Sequence, residues 1–184
     1  MGLLKAAHNS KILDPSTGQV IMQCREEHLG RFTKLLRFSD FKRTTPFDIK
    51  VGTPDGRQVL RVKRGVPVMI SKVKVLDEND YLIGGFKQKP FSLSGAFDVL
   101  DAEDNSVCML KGGLTGWNFR FLSPGDVELA CVSKKWAGIG KELLSSKDDY
   151  MLEIDEAVPT DSTIRQLILA SVLCIGMTQK IDVP

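Results

Sequence analysis

No cysteine pair in this chain has metal or redox spacing. Cys24, Cys108, Cys131 and Cys174 are far apart and no CxxC occurs, so they read as free thiols of a reducing compartment. Histidine is scarce: His8 and His28 are the only two. HExxH, GxSxG, Walker A and GxGxxG motifs are all missing, which removes the usual carriers of hydrolytic and nucleotide chemistry. "GGFKQK" and "KGGLTGW" are rich in glycine, but no helical pattern follows them as a phosphate loop requires. Neither a catalytic residue nor a cofactor is expected. The N-terminus "MGLLKAAHNSKILDP" lacks the apolar stretch of a signal peptide. Ala6 stands where a myristoylation motif takes Ser or Thr. A net charge of +2 makes no case for nucleic acid.

One long apolar run is present, "STIRQLILASVLCIGMTQK", residues 162–180. From Ile164 to Met177 only Arg165, Gln166, Ser171 and Gly176 are not aliphatic, Met or Cys. Pro159, Thr160, Asp161 and Ser162 give helix-start signals, so a helix is expected over approximately 161–178. Its 14 apolar-run positions reach about 21 Å at 1.5 Å per residue, short of the roughly 20 residues a bilayer core needs. The apolar residues cover every face rather than one stripe, as in a helix buried all round. Ser171 fits such a site by bonding back to a carbonyl one turn earlier.

The preceding residues read as short strands with polar turns. "FDIKV" puts Phe47, Ile49 and Val51 on one face and Asp48 and Lys50 on the other. "WNFRF" groups Trp117, Phe119 and Phe121, "VELAC" groups Val127, Leu129 and Cys131, and "YMLEI" groups Tyr150, Leu152 and Ile154. A period of two marks half-buried strands. Turn clusters fall between them at 14–18, 53–56, 77–80, 101–105 and 123–126. Three stretches resemble variants of one hairpin unit, but with no shared signature and a drifting spacing they read as a meander rather than a solenoid. A meander must protect its edges, and closing into a barrel removes them. A wide barrel needs filling, and an apolar helix fills it. The expected fold is therefore mainly β. It is a single domain over 1–184, a closed antiparallel barrel enclosing a central hydrophobic C-terminal helix.

"VSKKWAGIGKELLSSKDDYMLEI" (132–154), followed by the terminal apolar helix, resembles the C-terminal part of the phospholipid scramblase family. The wider group takes in tubby C-terminal domains and LURP-one-related plant proteins. The resemblance is strongest from Phe97 to Lys180. It implies a barrel of about twelve strands around a central helix, in agreement with the independent reading. It also implies association with membrane lipid, through phosphoinositides in the tubby members, and lipid scrambling with calcium dependence in animal scramblases. The calcium segment proposed for those members falls at 146–157, making Asp148, Asp149, Glu153 and Asp155 weak candidate ligands. An EF-hand needs a turn glycine and a final bidentate acid, and Met151 and Ala157 occupy those places. The acidic residues fit a solvated rim, and no metal is expected. The chain also lacks the proline-rich extension and cysteine cluster of animal scramblases.

Residues 57–89 hold eight cations against Asp77, Glu78 and Asp80. Three i, i+2 pairs, Arg61 with Lys63, Lys72 with Lys74 and Lys87 with Lys89, each point to one strand face. On neighbouring strands these six residues make a candidate anion- or lipid-binding patch. Trp136, between Lys134, Lys135 and Ala137, is a candidate membrane-interface residue. The expectation is a non-catalytic cytoplasmic module, peripheral to membranes rather than integral, that binds anionic lipid or a protein partner through a basic outer face and does not bind nucleic acid. Two alternatives stand beside it: a membrane-active scramblase, and a small-molecule binder or enzyme using the barrel mouth near Arg165 and Gln166.

Overall fold

Alternating apolar residues become strands, and the turn clusters between them become hairpins. The computed structural model describes residues 2–5, 11–26, 46–65, 72–88, 97–113, 118–133 and 149–179. The strands are β1 (Gly2–Lys5), β2 (Lys11–Leu13), β3 (Val20–Glu26), β4 (Phe47–Gly52), β5 (Gln58–Arg64) and β6 (Lys72–Leu76). They continue with β7 (Leu82–Gln88), β8 (Phe97–Asp101), β9 (Ser106–Gly113), β10 (Asn118–Leu122), β11 (Glu128–Ser133) and β12 (Asp149–Ile154). Helix α1 (Thr163–Gln179) follows. All described pairs are antiparallel neighbours in sequence, except that β1 pairs with β12 as well as with β2. The fold is one mainly antiparallel sheet plus a C-terminal helix.

Four hairpins use one turn. Thr53, Asp77, Asp101 and Ser123 each open a turn in which their N–H bonds the carbonyl four residues on, at 2.8–3.0 Å. The fourth residue is left-handed every time: Gly56 (φ 94°), Asp80 (64°), Asp104 (68°) and Asp126 (60°). Each hairpin also carries a register shift at the pair next to the turn. A tight turn with a left-handed residue and a bulge is a favoured hairpin connection. The opening side chain supports it. Asp77 Oδ1 accepts from the N–H groups of Asn79 (2.9 Å) and Tyr81 (2.8 Å). Asp101 Oδ1 accepts from those of Glu103 (3.0 Å) and Asn105 (2.8 Å). The units therefore share a signature after all: an oxygen-bearing side chain first and Gly or Asp fourth.

An aspartate at positive φ is strained where glycine is not. Asp126 offsets this only with an exposed ion pair to Lys111, so Asp126→Gly is expected to raise the Tm. Asp80 bonds both Gln58 and Arg61, so Asp80→Gly is expected to lower it. Thermal unfolding followed by circular dichroism measures both.

The inner face is one apolar cluster. Phe47, Ile49 and Val51 of β4, Phe119 and Phe121 of β10, and Tyr150 and Leu152 of β12 lie in it, on the faces the sequence assigns. On β11 the assignment is wrong. Val127 lies in the turn and is 63% exposed, and Ala130 and Val132 are in the core instead of Leu129 and Cys131. Both faces of "ELACVS" are apolar, so alternation could not choose between them. Packing chose: Ala130 sits opposite Phe121 and Val132 opposite Phe119, small residues facing large ones.

Helix α1 packs against this cluster. Ser162 caps it, with Oγ accepting from Ile164 N–H at 3.2 Å. From Leu167 to Ile175, two and a half turns, all residues are buried except the half-buried Leu169 and Cys174. Ser171 Oγ donates to the Leu167 carbonyl at 2.8 Å, so its burial leaves no polar atom orphaned. Gly84 of β7 lets the helix approach. A Cβ there would meet Leu167 Cδ2 at 3.0 Å and the Leu100 carbonyl oxygen at 2.2 Å, at a φ of 151°.

Candidate functional site

The polar alternates of β4 to β7 form the outer face. Arg61, Lys63, Lys72, Lys74 and Lys87 all lie opposite the core-facing Leu60, Val62, Val73, Val75 and Phe86 on their strands. Because β5, β6 and β7 are adjacent, register brings the lysines together. Lys63 stands directly opposite Lys74, and Lys72 directly opposite Lys87. Like charges directly opposed across a ladder are unfavourable.

The row extends further than the cation pairs suggest. Lys50 of β4 lies between Arg25 of β3 and Arg61 of β5. Arg25 lies outside the 57–89 window. Lys50 was legible in the alternation of "FDIKV", but its place beside Arg61 needed the register. Arg64, included in that window, faces inward instead. Its guanidinium lies 4.7 Å above the Phe47 ring, and burial lowers its pKa against the attraction of nearby Cys174.

Carboxylates from other segments neutralise part of this face. Asp48 Oδ1 and Oδ2 accept from Arg61 Nε (2.7 Å) and Nη2 (2.8 Å), a two-pronged pair. Asp80 adds a contact to Arg61 Nη1 at 3.2 Å, and Lys63 shares Asp48 at 3.7 Å. The bond to Asp48, ahead of Asp80, raises the Arg61 pKa. The Gln58 amide, then Arg61, hold the Asp80 carboxyl below its usual value. Lys72 is bonded to Asp104 of the β8–β9 turn, which carries its chain across β7. Asp98 stands opposite Lys87. Seven cations thus face four carboxylates. Among the described residues Lys74 and Lys87 are in no ion pair, and opposite Lys74 is Gly85, with no side chain.

The acidic candidates do not converge. Asp149 opens β12 opposite Lys5, while Glu153 is four residues further along the same strand. At ~3.3 Å per residue that is about 13 Å, too far for one calcium ion with ligands at ~2.3–2.6 Å. No group of acidic, His or Cys residues suited to a metal occurs among the described residues. Glu153 and Asp155 instead line a cavity of about 550 Å³ with Glu128, Cys131, Glu156 and Arg165. This is where the sequence placed a barrel mouth. The Arg165 guanidinium is occupied there, donating to the Val158 (2.9 Å) and Pro159 (3.0 Å) carbonyls. The Cys131 thiol is pushed up by burial and by Glu153, 3.6 Å away, which is the reverse of what a nucleophile needs. His8, His28, Lys89, Trp117, Trp136 and Asp148 lie outside the described residues.

A single antiparallel sheet packed against a capped, largely apolar C-terminal helix, with a basic outer face, defines a class of mainly β domain. The chain belongs to the Scramblase family, whose model matches residues 7–179. No solved structure matches it significantly. No helix among the described residues is long and apolar enough to cross a membrane.

Proposed function

We propose that the sheet is a closed single-domain barrel around α1 and acts as a non-catalytic, cytoplasmic, peripheral module that binds anionic membrane lipid. Phosphoinositide-like headgroups fit its basic outer face. Closure is supported by the pairing of β1 with both β12 and β2. Lipid binding is supported by family membership. The observation that carries the reading is the two directly opposed lysine pairs, Lys63 with Lys74 and Lys72 with Lys87. Asp48 and Asp104 already hold Lys63 and Lys72, so the cations that a bound anion would neutralise are Lys74 and Lys87.

Flotation on vesicles containing phosphatidylserine tests this. A cation near an anionic surface contributes about 1 kcal/mol, so Lys74→Gln with Lys87→Gln is expected to weaken binding about 30-fold. Lys111→Gln, on β9 and paired with Asp126, serves as the control and is expected to change little. Equal binding by all three proteins, or equal binding to neutral vesicles, sinks the reading and favours a protein partner on this face. The family match supports a second reading, lipid scrambling itself, which requires α1 to leave the core. Dithionite quenching of labelled lipid in the same vesicles reads it out, and the expected rate is that of empty vesicles.

A further inference from the structure

Three hairpin turns place an aspartate against a cation of an earlier strand. Asp80 bonds Arg61 of β5, Asp126 bonds Lys111 of β9, and Asp104 bonds Lys72 of β6. The first two reach the strand next to their own hairpin. Asp104 belongs to the β8–β9 hairpin, whose neighbour is β7, and its carboxylate passes over β7 altogether. Register gives the reason. Arg61 stands opposite Leu76, which precedes the turn that holds Asp80. Leu100 precedes the turn that holds Asp104, and the residue opposite it on β7 is Gly85. Glycine has no side chain to offer, so the carboxylate reaches one strand further.

The contact falls where the free cations are. Lys72 stands directly opposite Lys87, and Lys74 is two residues along the same face of β6. Directly opposed residues are about 4.5–5.5 Å apart and diagonal ones about 7–8 Å. Flexible lysine stems can therefore bring three ammonium groups to one phosphate. Lys74 and Lys87 are in no ion pair among the described residues, so Lys72 alone of the three is occupied. The Lys72 side chain is 39% exposed and that of Asp104 60%, and ion pairs so exposed are weak. The carboxylate oxygen holds the place on Lys72 that a phosphate oxygen would take. The turn itself does not need this aspartate. Its φ of 68° suits glycine, and Gly56 fills the equivalent place in the β4–β5 turn.

We propose that Asp104 is a tethered competitor at the lysine face. Its carboxylate holds Lys72 until the headgroup phosphate of an anionic lipid displaces it, and Lys72, Lys74 and Lys87 then share that phosphate. This inference rests on the anionic-lipid reading above and adds what keeps the site partly closed.

Asp104→Gly tests it while keeping the turn, as Gly56 shows. On vesicles containing phosphatidylserine, release of one cation is expected to tighten binding about fivefold, the equivalent of ~1 kcal/mol per cation near an anionic surface. Asp104→Asn, which keeps the size of the side chain, is expected to follow it. Asp126→Gly removes the same charge from the same turn position beside Lys111, and is expected to stay within twofold of wild type. A second arm uses Lys72→Gln. In that background Asp104→Gly is expected to gain less than twofold, since no ammonium group is left to release. An equal gain from Asp126→Gly marks a general effect of charge and overturns the competitor. So does a full gain in the Lys72→Gln background, and so does unchanged binding by Asp104→Gly. Each of these leaves lipid binding standing, whereas no binding by any of the proteins, wild type included, overturns both readings.

Discussion

Gly84→Val is expected to leave little folded protein. At φ 151° the residue sits in backbone space that L side chains rarely adopt. Its Cβ would lie 2.2 Å from the Leu100 carbonyl oxygen and 3.0 Å from Leu167 Cδ2. The first obstacle is backbone of the paired strand β8, which cannot move without breaking the ladder. The second is Leu167 of α1, and valine adds two more methyl groups there. Backbone strain and overpacking at one point make a loss above about 4 kcal/mol reasonable, against a total stability of ~5–15 kcal/mol for an ordinary domain. Gly65→Ala is the control, since a Cβ at Gly65 meets nothing within 4 Å. Urea unfolding followed by far-ultraviolet circular dichroism compares the two. A cooperative transition for Gly84→Val near the wild-type midpoint would show that α1 does not press on β7.

The second large effect is expected at Ile168, which is fully buried in the helix. Ile168→Ala should cost about 2–5 kcal/mol through lost burial and the cavity left behind. Ile168→Asp should prevent folding, because a carboxylate with no partner would be enclosed among aliphatic side chains. Thr163→Ala, at the exposed first residue of α1, should stay within about 0.5 kcal/mol of wild type. The contrast decides where the helix resides. If its resting place were a bilayer, Ile168→Ala would barely change the unfolding of detergent-free protein. A change below 0.5 kcal/mol therefore rejects the packed helix, and with it the idea that the basic face is presented on a rigid wall.

Several local features were legible because they depend on residues close in sequence. The turn clusters at 53–56, 77–80, 101–105 and 123–126 are turns in the structure. The period of two places Phe47, Ile49, Val51, Phe119 and Phe121 inward correctly. Ser162 and Ser171 make the hydrogen bonds their positions imply. The common turn was harder to see. Its signature is a backbone conformation that Gly56, Asp80, Asp104 and Asp126 reach with different side chains.

The candidate face was legible as cations and not as a charge balance. Counting along residues 57–89 gave eight cations against three carboxylates. Register across the sheet replaced Arg64 with Arg25 and Lys50 and brought in Asp48, Asp98 and Asp104. Those carboxylates are strand neighbours or turn residues of other hairpins, and no sequence window holds them together. The inner face of β11 was ambiguous for a related reason. Both of its faces are apolar, and the choice was made by Phe119 and Phe121 on the adjacent strand.

The sequence by itself determined which segments are strands, which are turns, and that the last helix has no face fit for water. Those properties follow from side-chain periodicity and local backbone preference, which act over a few residues. Tertiary structure alone decided that Gly2 pairs with Leu152, that two lysine pairs stand face to face, and that Asp104 of a distant turn reaches Lys72. These depend on antiparallel pairing between distant segments, and the free energy that selects such a pairing comes from the shared core rather than from any single stretch of chain.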